Sequence, residues 1–183
     1  MISAADRLAS DKILARAAWR LIPFMMLMYV ASFLDRVNIS FAALAMNHDL
    51  GFSAQIYGFG AGVFFFGYFL FEVPSNLIME KVGARLWLSR IMLTWAVISM
   101  ANAFVWDKYS FYVVRFLLGV AEAGFYPGIL LYFTYWFPSA TRARILAIFC
   151  AGIPISNIIG APLSTWLLGL EMHGLHGWQW MYI

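Results

Sequence analysis

Charge is what this chain most lacks. Of its 183 residues only 11% are Asp, Glu, Lys or Arg, while 63% are hydrophobic; a soluble globular domain carries roughly 25% charged residues. So little polar side chain cannot cover a water-exposed surface, and the lipid bilayer is the expected solvent. Cysteine is nearly absent: Cys150 stands alone, which excludes an intramolecular disulfide. Histidine is scarce too. His48, His173 and His176 all fall in predicted loops, and the HGLH pair has no further ligands beside it, so no metal site is expected. There is no GxSxG element, GxGxxG turn or phosphate-binding P-loop. Asp35 is the single aspartate inside an apolar run, which argues against an intramembrane protease built on paired aspartates. The net charge of +3 is not gathered on one face, which argues against a nucleic acid partner.

Long apolar runs are abundant. They cover approximately residues 21–44, 57–79, 87–106, 109–136 and 145–169, each near or above the ~20 residues that cross ~30 Å of hydrocarbon. A sixth begins at Trp178. The first is too long for a secretory signal and is followed by others. Basic residues mark alternate loops: Arg7, Lys12, Arg16 and Arg20 before the first span, Lys81, Arg85 and Arg90 between the second and third, and Arg142 and Arg144 between the fourth and fifth. Of the intervening loops, only that near 107–108 carries a basic residue, Lys108. Short basic loops stay in the cytoplasm, so the amino terminus is expected inside. Trp19, Trp87, Trp106, Tyr109, Trp136 and Trp178 fall near predicted span ends, where aromatic anchors belong. The lead-in segment 1–20, with Leu8, Ile13, Leu14 and Ala17 near helical spacing, reads either as a helix along the membrane surface or as a short solvated one.

Glycines concentrate in the second, fourth and fifth spans, where small residues let helices pack closely. Pro74, Pro127, Pro154 and Pro162 lie in the same spans and should kink or break them.

Five ionisable residues sit inside the runs: Asp35 and Arg36, Glu72, and Arg115 and Glu122. Each costs something like 2.5–3.5 kcal/mol to insert, so a chain keeps them when they are paired or face water. Arg115 and Glu122 are seven residues apart, two turns on one helical face and ~10 Å along the axis, with Gly119 between them leaving room. Counted from the span ends, Asp35 and Arg36 fall at a depth between those two, so all four can share one polar cavity. An arginine fork suits a substrate carboxylate, and a carboxyl group in low dielectric can take up and release a proton. Glu72 reads as a packing or gating residue. Tyr68 points its hydroxyl at the cavity or is an ordinary core aromatic. The alternatives at this level are a small multi-pass interaction protein and an intramembrane enzyme.

The runs FLDRVNISFA at 33–42, EVPSNLIMEKVGARLWL at 72–88, RFLLGVAEAGFYPGILLYFTYWFP at 115–138 and GWQWMYI at 177–183 resemble the anion:cation symporter family of the major facilitator superfamily, most closely bacterial tartrate, sugar-acid and aromatic-acid transporters. The resemblance implies an all-α membrane bundle, here the five spans and the start of a sixth of an amino-terminal six-helix domain over 21–183. It implies proton-coupled symport of a small organic anion across the plasma (inner) membrane, with no cofactor beyond the proton gradient. Arg36, Tyr68 and Asn38 resemble substrate-binding residues; Asp35 and Glu122 resemble the proton carriers, with Arg115 as partner of that glutamate. Glu80, Lys81, Gly83 and Arg85 resemble the conformational latch between the second and third spans, although the first glycine and one arginine of its usual GxxxDRxGRR pattern are absent. Family members have twelve spans in two halves, so a chain stopping at Ile183 is expected to be a fragment, gene remnant or partial record that lacks its carboxyl-terminal partner half and is inactive alone.

Overall fold

A computed structural model describes residues 4–172 and 174–183, with side chains from Lys12 onward. His173 and the side chains of Arg7 and Leu8 lie outside the described residues. Among the described residues eight α-helices follow in order: α1 (Ala4–Leu50), α2 (Ala54–Val82), α3 (Ala84–Ala101), α4 (Lys108–Glu122), α5 (Phe125–Trp136), α6 (Ser139–Cys150), α7 (Gly152–Leu168) and α8 (Gly177–Trp180), with a 3₁₀ turn over Asn102–Phe104. Among the described residues there is no β-strand, only an isolated bridge between Met172 and Leu175. Five stretches are long and apolar enough to cross a membrane: Lys12–Leu50, Ala54–Val82, Ala84–Phe104, Lys108–Trp136 and Ser139–Leu168. They overlap the five apolar runs of the sequence and each begins before its run, because backbone hydrogen bonding continues a helix beyond its apolar part.

The lead-in is not a separate surface helix: α1 runs unbroken through Pro23, 47 residues or about 70 Å. The fourth span breaks at Ala123–Gly124 and the fifth is interrupted for one residue at Ala151, and in both cases the cause lies just downstream. Pro127 and Pro154 occupy the third position of α5 and α7, where the missing N–H leaves the carbonyl four residues back, that of Ala123 or Cys150, without its helical donor. Gly124 makes the turn at φ 83°, which a side chain would resist. Pro74 and Pro162, in contrast, sit inside continuous helices. Trp178 is no lipid-facing anchor: it is 2% exposed and its indole N–H donates to Asp49 at 2.9 Å. Trp19, Trp106 and Tyr109 are exposed as an anchor requires.

Gly119 also departs from expectation. It leaves no room, because a Cβ there would strike the Phe64 carbonyl oxygen; the residue is where the backbones of α2 and α4 meet. The apolar core divides around the middle of α1. One cluster holds Met25, Tyr29, Phe125, Phe133 and Phe149, and another at the far end holds Ile39, Met46, Phe111 and Trp178. A third, smaller cluster of Phe64, Trp95, Leu118 and Ala121 lies beside the charges, with Phe64 against Arg36 and Arg115 and Trp95 against Asp35.

Candidate functional site

Position on α1 decides which neighbour each polar residue meets. Ser32 and Arg36 are one turn apart and face α4, whereas Asp35 is rotated about 100° from Arg36 and faces α3.

Glu122, the last residue of α4 before the break, is 1% exposed. Arg36 approaches it with Nη2 3.1 Å from Oε1 and donates from Nε to both carboxylate oxygens at 3.2 Å. The Ser32 hydroxyl donates to Oε1 as well. The pair is asymmetric: the Arg36 side chain is 29% exposed and that of Glu122 only 2%, so the site opens on the side of the cation. Three rings surround the guanidinium, with Tyr68 nearest at 5.2 Å from Cζ, then Phe64 at 5.7 Å and Phe33 at 5.9 Å, within the range of cation–π attraction.

Asp35 is buried and takes no part in that ion pair. Its Oδ2 accepts from the Trp95 indole N–H at 3.2 Å, and its Oδ1 accepts from the Ser99 hydroxyl. Both donors are neutral and both belong to α3.

Arg115 is 3% exposed. Its guanidinium lies 4.7 Å from the centre of the Phe64 ring, and its Nε has no hydrogen-bond partner. Asp35, Glu122, Tyr57 and Tyr182 are all near enough to act on its charge. The cation in contact with Glu122 is therefore Arg36, with Arg115 one step removed. Asn38 is turned away, towards α7 and the end of the chain. Its Oδ1 accepts from Ser164 at 3.2 Å and its Nδ2 donates to the Met181 carbonyl at 3.0 Å.

The remaining candidates stand apart. Glu72 is half-buried, and its backbone carbonyl receives the Asn76 side chain at 2.9 Å. Glu80, Lys81 and Arg85 are exposed around the α2–α3 turn, where Gly83 has φ 95°. Among the described residues no group of three or more His, Cys, Asp or Glu side chains could hold a metal ion.

Ser32, Trp95 and Ser99 were not among the residues singled out in the sequence. Ser32 precedes Arg36 by one turn, and Trp95 and Ser99 are also one turn apart; that shared spacing is the signal that could have found them.

The bundle thus holds a charged pair between its first and fourth spans, with the cation partly open and the carboxylate buried. The chain belongs to the Major Facilitator Superfamily, whose sequence profile matches residues 25–183. It is 57% and 58% identical to two proteins of Agrobacterium vitis named "Putative tartrate transporter", over 94% of this chain and 38% and 40% of theirs. It is 53% identical to the "Putative metabolite transport protein NicT" of Pseudomonas putida, over 92% of this chain and 39% of that one. The chain thus spans about two fifths of the length of these relatives. The fold is also that of a bacterial homolog of the human lysosomal transporter Spinster, solved inward-facing and unoccupied: TM-score 0.78 at 16% identity, over 90% of this chain and 39% of that one.

Proposed function

We propose that this chain forms the amino-terminal part of a proton-coupled symporter of small organic anions, carboxylates such as tartrate or sugar acids. It would sit in the plasma membrane with its amino terminus in the cytoplasm, and be inactive until joined to the carboxyl-terminal portion that its relatives possess. The observation that carries the reading is the Arg36–Glu122 pair, half open and half buried.

The chemistry follows from a count of charges. In low dielectric each buried ion requires a partner. Arg36 can be satisfied by Glu122 or by a substrate carboxylate, to which it presents the same planar fork. Glu122 can be satisfied by Arg36 or by a proton. An anion binding without a proton would strand Glu122, and a proton without an anion would strand Arg36. The two ligands therefore enter together, which is symport. Tyr68, against the guanidinium, shapes the anion's seat. Arg115 adds positive potential near both carboxylates, and Asp35 provides a second proton site. Asn38 contributes to the substrate compartment by exchanging one of its bonds to Ser164 or Met181. Glu80, Lys81, Gly83 and Arg85 act as the latch that engages when the cytoplasmic side closes. The relatives' names support the substrate class.

The test is uptake of labelled tartrate and a panel of sugar acids by cells expressing a full-length protein that contains this chain. Arg36→Ala should abolish accumulation of whichever acid is taken up. Undiminished accumulation in that variant would remove the docking role.

A further inference from the structure

The two buried carboxylates are held differently. Glu122 is tied to a cation, whereas Asp35 is held by two neutral donors one turn apart on α3, the Trp95 indole and the Ser99 hydroxyl. These donors are not equivalent. An indole N–H can only donate, while a hydroxyl can donate or accept. When Asp35 is ionised both donate to it. When Asp35 gains a proton, Oδ2 must remain an acceptor for Trp95, so the proton goes to Oδ1, and the Ser99 hydroxyl rotates to accept it. Both protonation states keep their hydrogen bonds without any movement of the helices. The charged or titratable groups facing Asp35 are Arg36 on its own helix, Arg115 and Glu122 from α4, and Tyr182 beyond α8; α3 presents only Trp95 and Ser99.

We propose that Trp95 and Ser99 are positioning residues for proton binding at Asp35: the indole selects the oxygen that is protonated, and the hydroxyl sets how tightly the proton is held. This rests on the reading of Asp35 as a proton site. Removal of a donor that favours the ionised form should make the carboxyl titrate at higher pH. Because the protonated carboxyl keeps a weaker hydrogen bond to the same group, the displacement is the difference between a charged and a neutral bond, roughly 1 pH unit.

The experiment is an infrared pH titration of the purified full-length protein in lipid nanodiscs, with the Asp35 carboxyl band identified as the one missing from Asp35→Asn. Ser99→Ala should move its midpoint up by roughly 1 unit, Trp95→Phe should also move it up, and Ser99→Thr, which keeps the hydroxyl, should leave it in place. The Glu122 band serves as the check on folding. If the Asp35 midpoint is the same in Ser99→Ala as in the parent, the positioning role is overturned while Asp35 stays a proton site. If Asp35→Asn removes no titrating band, the proton site itself falls and the positioning role with it.

Discussion

Removing Arg36 should reveal how strongly Glu122 depends on it. Arg36→Ala deletes all three contacts of 3.1–3.2 Å to the carboxylate and leaves Glu122, 1% exposed, with only the Ser32 hydroxyl. Stranding one partner of a buried ion pair costs about 3–5 kcal/mol. Because the Arg36 side chain is 29% exposed, water screens part of the interaction and the loss should fall near ~3 kcal/mol. Glu122→Gln alone strands the more accessible partner and should cost less, about 1–2 kcal/mol. The double variant carries no stranded charge, so its loss should be smaller than the sum of the two by at least ~1.5 kcal/mol. The deficit of Arg36→Ala should also shrink as the pH falls, since a protonated Glu122 needs no cation. The assay is reversible unfolding of the purified protein in mixed micelles across pH. Losses that add within about 0.5 kcal/mol would refute direct pairing.

Gly119→Ala places a methyl group against the Phe64 carbonyl; it should destabilise the bundle by about 1–3 kcal/mol, read in the same unfolding assay, whereas Gly58→Ala, with open space around it, should not. At the start of α4 the Asp107 carboxylate accepts the Ser110 backbone N–H at 2.7 Å within a capping box, and that bond, with the Ser110 hydroxyl, holds its carboxyl below the usual range. The stabilisation is therefore present above the ordinary carboxylate range and is lost as pH falls through the lowered value. Asp107→Asn should keep the cap and lose that acid dependence, as measured by hydrogen exchange of the first turn of α4. Asn38→Ala breaks the links to Ser164 and Met181 and should increase exchange at the chain's end without altering the Arg36–Glu122 coupling.

Much of this was legible in the residues. Five apolar runs, each about the length of one bilayer crossing, could be little else than spans, and a charge inside such a run is rare enough to mark the site. The depth count put Asp35, Arg36, Arg115 and Glu122 within reach of one cavity; the structure pairs Arg36 with Glu122 and sets Asp35 against α3 instead. What the residues did not reveal was direction. Neighbours on a helix diverge by about 100°, so Asp35 and Arg36 serve different partners, and the helix packing that decides which is not written in either one. Trp95 and Ser99 were hidden for a different reason: in an apolar run a tryptophan reads as packing and a serine as filler, until a carboxylate is found beside them. Gly119 misled because a small residue beside a charge can mean either a cavity or another backbone. The breaks at Gly124 and Ala151 were expected from the prolines, and their positions follow from the carbonyl each proline leaves unbonded.

The central claim is that a proton on Glu122 releases Arg36 for the anion. The direct measurement compares the full-length parent with Glu122→Gln in proteoliposomes, for the acid the uptake panel identifies, under an imposed pH gradient and in gradient-free exchange. The parent should accumulate substrate with the gradient, while the variant should still exchange it but not accumulate it. Accumulation by Glu122→Gln at the parent's level, with the same dependence on the gradient, would contradict the claim.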